Sequence, residues 1–201
     1  MGRIFDAVIE HLDQRRLRYE KVEGHDSINI SFGGTGGSLR CRLLVEEDRG
    51  LVQFWAYLPL FAPPERRQAV AEFLARANYG LRLGNFELDF NDGELRYKTS
   101  AWPGHGPFVP DQAEPLIRAA VSTANRYVPA LAKVIFANMS PKQAVAGAES
   151  GETDTQAIEE IGRMLGDDKS APPSLPPPQE DEASGDPGED EATPENDSAA
   201  T

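Results

Sequence analysis

Cysteine is almost missing from this chain: Cys41 is the only one among 201 residues, so no disulfide can close within it and no thiolate metal cluster can form. A reducing, cytoplasmic setting is expected. Histidine is nearly as scarce, since His11, His25 and His105 fall in separate predicted elements without the close spacing of a metal-binding motif. Surface positions are expected for all of them, and no metal or cofactor is implied. A long apolar run is also lacking. The most apolar late stretch, Val128 to Met139, is interrupted by Pro129 and Lys133 and is too short to span a bilayer. The opening residues Met1-Gly2-Arg3-Ile4-Phe5-Asp6 have no apolar signal core, and Asp6 stands where an N-myristoylation signal wants Ser or Thr. A soluble protein with no membrane contact is expected.

Positive charge is in deficit. The chain has 20 Lys and Arg against 33 Asp and Glu, a formal net charge of −13. From Asp167 to Thr201 there are 11 acidic residues against the single Lys169, so removing that segment's −10 from −13 leaves −3 for residues 1–166. A nearly balanced domain speaks against nucleic-acid binding, because phosphate recognition wants a net basic face. The familiar catalytic signatures are missing too. There is no Gly-x-Ser-x-Gly elbow, and Cys41 alternates with Leu39 and Leu43 toward the core as an inert apolar residue. The run Gly33-Gly34-Thr35-Gly36-Gly37 has no Gly-Lys-Ser/Thr ending and leads into a strand, which suits a flexible hairpin connection and not a phosphate loop.

What is present centres on Pro63 to Ser100. After Pro63 and Pro64, the residues Val70, Phe73, Leu74 and Ala77 recur at helical spacing, and Gly80 is placed to end that helix in a left-handed cap. The period then changes to two. Phe86, Leu88 and Phe90 alternate with polar residues, and after Asn91-Asp92-Gly93 so do Leu95, Tyr97 and Thr99, which predicts a β-hairpin with Gly93 at positive φ. The succession Glu65-Arg66-Arg67, Glu72-Phe73-Leu74, Ala77-Asn78, Leu83 to Asp89 and Asp92 to Ser100 resembles the YbjN family of bacterial proteins. The resemblance covers roughly the first three quarters of the chain. It implies a fold similar to the type III secretion chaperones and a label of "putative sensory transduction regulator", with no catalytic residue in the pattern.

Around this centre the chain reads in order. Ile4, Phe5, Val8, Ile9 and Leu12 form the stripe of an opening amphipathic helix, and Ile28, Ile30 and Phe32 alternate as a first strand. Leu39, Cys41, Leu43 and Val45 make a second, and Leu51 to Leu58 a third. Beyond the hairpin comes a Pro- and Gly-rich loop with Trp102. Asp111 and Glu114 then make a capping box for a long helix carrying Ile117, Val121, Ala124, Val128, Leu131 and Ile135, in which Pro129 should introduce a kink. Ser140, Pro141 and Gln143 restart a short final helix. The expected fold is α+β, an antiparallel five-stranded sheet with helices on one face in the order α-β-β-β-α-β-β-α-α. Residues 1–149 form the domain, 150–165 a short helix or linker bearing Ile158, Ile161 and Leu165, and 166–201 a disordered, acidic, Pro-rich tail.

Several polar groups are assigned to surface or support. Glu87 and Asp89 are expected to face Arg96 or Lys98 in a cross-strand ladder, Arg66 and Arg67 to lie on an exposed helix face, and Asn78 and Asn85 to satisfy backbone groups. One strand breaks the pattern. Val52, Phe54, Ala56 and Leu58 fill one face of it, yet Trp55 and Tyr57 stand on the other, with Leu44 beside them and Arg40, Arg42 and Gln53 flanking. These six residues are the candidate partner-binding face, for a protein partner or a second copy in a homodimer, unless the central helix or the Trp102 loop folds across it. The function expected is a non-catalytic, chaperone-like or regulatory protein-binding module. The alternative is a small-molecule sensor with a cleft between the sheet and the long helix.

Overall fold

The computed structural model describes residues 3–34, 37–103 and 108–150. Thr35 and Gly36 of the glycine-rich connection, the loop 104–107 with His105, the short helix expected before Leu165 and the acidic tail all lie outside the described residues. The chain opens with α1 (Arg3–Gln14), and the strands β1 (Tyr19–Lys21), β2 (Ser27–Gly34), β3 (Gly37–Glu46) and β4 (Leu51–Phe61) follow. A 3-10 turn at Pro64–Arg66 leads into α2 (Arg67–Gly80), then come β5 (Asn85–Leu88) and β6 (Glu94–Ala101). A second 3-10 turn, Pro110–Gln112, precedes α3 (Ala113–Phe136) and α4 (Pro141–Ser150).

The sheet has six strands in the order β1-β2-β3-β4-β6-β5, every neighbour antiparallel. The strand beyond the five expected is β1. Its three residues, Tyr-Glu-Lys, are too few to show an alternation, and only their pairing with Ile28–Ile30 makes them a strand. The helices gather on the face that carries Ile28, Ile30, Leu43, Phe54 and Ala56, all buried, together with Phe5, Val8 and Leu12 of α1 and Ala120, Ala124 and Leu131 of α3. An aromatic chain ties three layers of this core. Phe73 of α2 meets Tyr127 of α3 edge-on at 6.2 Å, Tyr127 meets Phe86 of β5 at 5.3 Å, and Phe86 meets Tyr97 of β6 at 4.7 Å. Such edge-to-face pairs contribute about 1 kcal/mol each beyond their burial.

The expected hairpin and restart are found, and several local expectations are corrected. Gly93 takes φ +87°, and the Ser140 hydroxyl accepts from the Gln143 backbone N–H at the start of α4. Gly80, however, remains helical, and the left-handed residue is Gly84 at φ +81°, where a Cβ would press on the Lys98 carbonyl. The hairpin strand stops at Leu88. Asp89 turns back to accept from the Asn91 N–H, which leaves Phe90 exposed instead of in the apolar row. The expected capping box is displaced: Gln112 accepts from the Val109 N–H in the 3-10 turn, and the Glu114 carboxylate goes elsewhere. Arg66 and Arg67 are not merely an exposed face. Arg66 donates to the Val134 carbonyl and to Asn138 at the end of α3, and Arg67 donates to the carbonyls of Ala62 and Phe90. Their donors satisfy carbonyls that helix and strand ends leave open.

His11 is the clearest reversal. Expected on the surface, it is fully buried between α1 and the start of α3, its Nε2 3.1 Å from Glu114 Oε2 and its Nδ1 3.8 Å from Asp111 Oδ1. Glu114 also receives Arg118, with Arg15 at 3.7 Å. Sequence spacing separates His11 from Glu114 by about a hundred residues, so only the docking of α1 brings them together.

Candidate functional site

The face of the sheet opposite the helices is built from two registered rows. In one, Asn29, Arg42, Trp55, Lys98 and Asn85 stand side by side across β2, β3, β4, β6 and β5; in the next, Ser31, Arg40, Tyr57, Arg96 and Glu87 do the same. Strict alternation puts them there, because each has a core residue as its chain neighbour. A third row sets Leu44 beside Gln53 and Ser100. All six residues expected from sequence therefore share one surface. Arg96, Lys98 and Glu87 join them, and no local signal could have announced it: β6 lies next to β4, with β5 outside it. The alternation of Arg96 and Lys98 with buried Tyr97 and Thr99 gives their parity but not their neighbours.

Each central aromatic is thus flanked by cations on both sides. The Arg96 guanidinium lies 5.5 Å from the centre of the Trp55 ring, in cation–π range, while its Nε donates to Glu87 Oε2 at 2.6 Å. Lys98 pairs with the other Glu87 oxygen, and Arg42 Nε donates to Asn29 Oδ1 at 3.0 Å. Burial acts to raise the Glu87 carboxyl, but hydrogen bonds from Lys98 and Arg96 outweigh it and hold the group below its ordinary value. At Tyr57 burial wins over the nearby Arg42 and Arg96, and the phenol is shifted up. The Glu94 carboxyl at the margin is also raised, mainly by burial.

Two features differ from the sequence expectation. Tyr57 is only 5% exposed and Arg42 only 4%, so Tyr57, which stands between Arg40 and Arg96, is not an accessible aromatic. Trp55, Gln53, Leu44 and Arg40 are half-buried. Nor does the rest of the described chain fold across the face. α2 packs on the core side through Val70, Phe73, Leu74 and Ala77, and Trp102 is 78% exposed. The Trp55 Nε1 atom is covered yet has no hydrogen-bond partner.

An open depression of about 420 Å³ on the outer side of α2 is lined by Glu72, Ala75, Arg76 and Tyr79. Between sheet and α3, where a small-molecule cleft was the alternative, fully buried Val52, Phe54 and Ala56 face α3's own buried side chains, and Thr99 Oγ1 donates to the Leu116 carbonyl. Among the described residues no three His, Cys, Asp or Glu side chains are grouped to hold a metal ion, and no helix is long and apolar enough to cross a membrane.

The profile of the YbjN family, described as "Putative bacterial sensory transduction regulator", matches residues 5–133. The chain belongs to the YbjN family. Those residues run from α1 into the last turns of α3 and include both rows of the open face. The crystal structure of "YbjN, a putative transcription regulator from E. coli" shares the fold of this YbjN-family chain, with a TM-score of 0.51 and 14% identity over 65% of this chain and 93% of that one. The crystal structure of the ExsC–ExsE complex aligns at a TM-score of 0.43 and 12% identity, over 64% of this chain and 95% of that chain. No curated protein matches the sequence.

Proposed function

We propose that this YbjN-family chain is a non-catalytic regulatory or chaperone-like module of the cytoplasm that works by holding a protein partner on the helix-free face of its sheet. One observation carries this: Trp55 sits half-buried in the middle of that face, inside a frame of cations, with its indole N–H unsatisfied and no described element packed over it. A sheet built only for stability would present a plain polar outer row there. Large amphipathic aromatics framed by arginine are instead the side chains on which binding energy concentrates.

The test compares surfaces. Interactors captured from native lysate by the wild-type chain are identified and compared with those of Trp55→Ala and of Tyr79→Ser, the latter changing a side chain that is 96% exposed on α2. The expected outcome is a partner lost by Trp55→Ala, at a cost of about 2 kcal/mol or more in binding, and kept by Tyr79→Ser. A partner kept by the first and lost by the second would move the site to the helical side.

A further inference from the structure

The frame around Trp55 is held from beyond the sheet's edge, by the end of α2. We infer that Asn78 is a positioning residue of the docking face: it clamps edge strand β5 so that Glu87 stays seated on Arg96 and Lys98, and the Arg96 guanidinium stays over the Trp55 ring. The inference rests on the docking face proposed above and adds what sets its geometry. β5 has four residues and pairs through one side only, with β6. So short an edge strand is weakly held by a single ladder. Its outer side is met by a side chain instead of a strand. Asn78 Oδ1 accepts from the Phe86 N–H at 2.7 Å, and its Nδ2 donates to the Phe86 carbonyl at 3.1 Å, so one amide takes both backbone groups that a further strand would use.

Alternation carries this clamp to the open face. Phe86 is buried against Tyr127 of α3, so Glu87, the next residue, points the other way. Its two oxygens receive Arg96 and Lys98, and Asn85 Nδ2 donates to one of them at 3.2 Å. Arg96 in turn lies 5.5 Å from the centre of the Trp55 ring. The junction before β5 leaves little slack. The Leu81 N–H donates to the Asn78 carbonyl, and a Cβ at Gly84 would lie 2.5 Å from the Lys98 carbonyl. Arg96 and Lys98 are therefore engaged by a carboxylate whose own strand depends on Asn78, and loosening β5 frees Arg96 from its place over Trp55.

NMR of the full chain tests this with two variants. Asn78→Ala removes the clamp and keeps a good helix former in α2, while Val70→Ala removes core volume from α2 and leaves the Asn78 amide in place. In the wild type the Glu87 carboxyl is expected to titrate below 4.5, and Asn78→Ala should move its midpoint up toward that value. The same variant should shift the Trp55 indole N–H resonance and speed amide exchange at Phe86, on the order of tenfold or more. Val70→Ala should also lower Tm but leave the Glu87 midpoint and the indole resonance where they are. A merely structural Asn78 predicts that both variants move these two signals or that neither does, and each of those results overturns the inference. If Asn78→Ala does not fold, Asn78→Ser, too short to reach both groups of Phe86, is read by the same criteria. The docking reading fails separately, when no interactor depends on Trp55 although the Glu87 and indole signals follow Asn78.

Discussion

Glu87 is a counter-charge of the open face, because it receives both Arg96 and Lys98 and is itself half-buried. Its carboxyl is held below its ordinary value of 4.5 despite burial, so its contribution to stability is fully present above that value and is lost as pH falls through the folded-state pKa. Glu114 acts with the same sign, held down first by the Arg118 hydrogen bond. Glu87→Gln is therefore expected to cost about 1–2 kcal/mol at neutral pH, less than a fully buried pair because solvent reaches it. Urea melts from pH 7 down to pH 3 are the check: the acid-side fall in stability should flatten in the variant. An unchanged acid limb would mean that the Glu87 pairs contribute nothing measurable. Cys41 marks the other extreme of residue behaviour, since burial pushes its thiol up and its Sγ reaches the Leu39 carbonyl at 3.7 Å.

At the scale of the element, α3 shows sequence rules and packing in competition. It is one unbroken helix from Ala113 to Phe136 with Pro129 inside it, although proline offers no N–H to the carbonyl one turn earlier. Buried Val128, Ala130 and Leu131 on either side explain why the helix continues, as their burial in the core outweighs one missing hydrogen bond. Pro129→Ala is accordingly expected to stabilise the domain, by roughly 1–3 kcal/mol, and thermal melting would read this as a higher Tm. A lower Tm would show that proline shapes the helix to fit its neighbours. α1 is held differently. Its apolar stripe was plain in the sequence, but His11 adds a buried polar contact to Glu114 that the 3.6-residue period treats as just another core-facing position.

For the molecule as a whole, charge is divided along the chain: the domain is near balance, while residues 167–201 hold most of the net −13. With no periodic apolar pattern after Gly166 and with strong like-charge repulsion, that segment has little to contribute to folding. A chain ending at Leu165 is therefore expected to melt within a few degrees of the full chain in differential scanning calorimetry. A larger fall would assign the segment a stabilising role.

What the sequence determined by itself was local: α1, the strands between Ser27 and Leu58, the helix–hairpin unit and the Ser140 cap all follow from period and turn chemistry, which act between near neighbours. Parity also assigned Trp55 and Tyr57 to the face opposite the core. The tertiary structure alone decided the rest. It paired the three residues of β1 with β2, placed β6 between β4 and β5 so that Arg96 and Lys98 meet Trp55 and Tyr57, buried Tyr57 and drew His11 in to Glu114. These outcomes depend on strand order and helix docking, which are fixed by the collective burial of the core and leave no periodic signature in the residues they bring together.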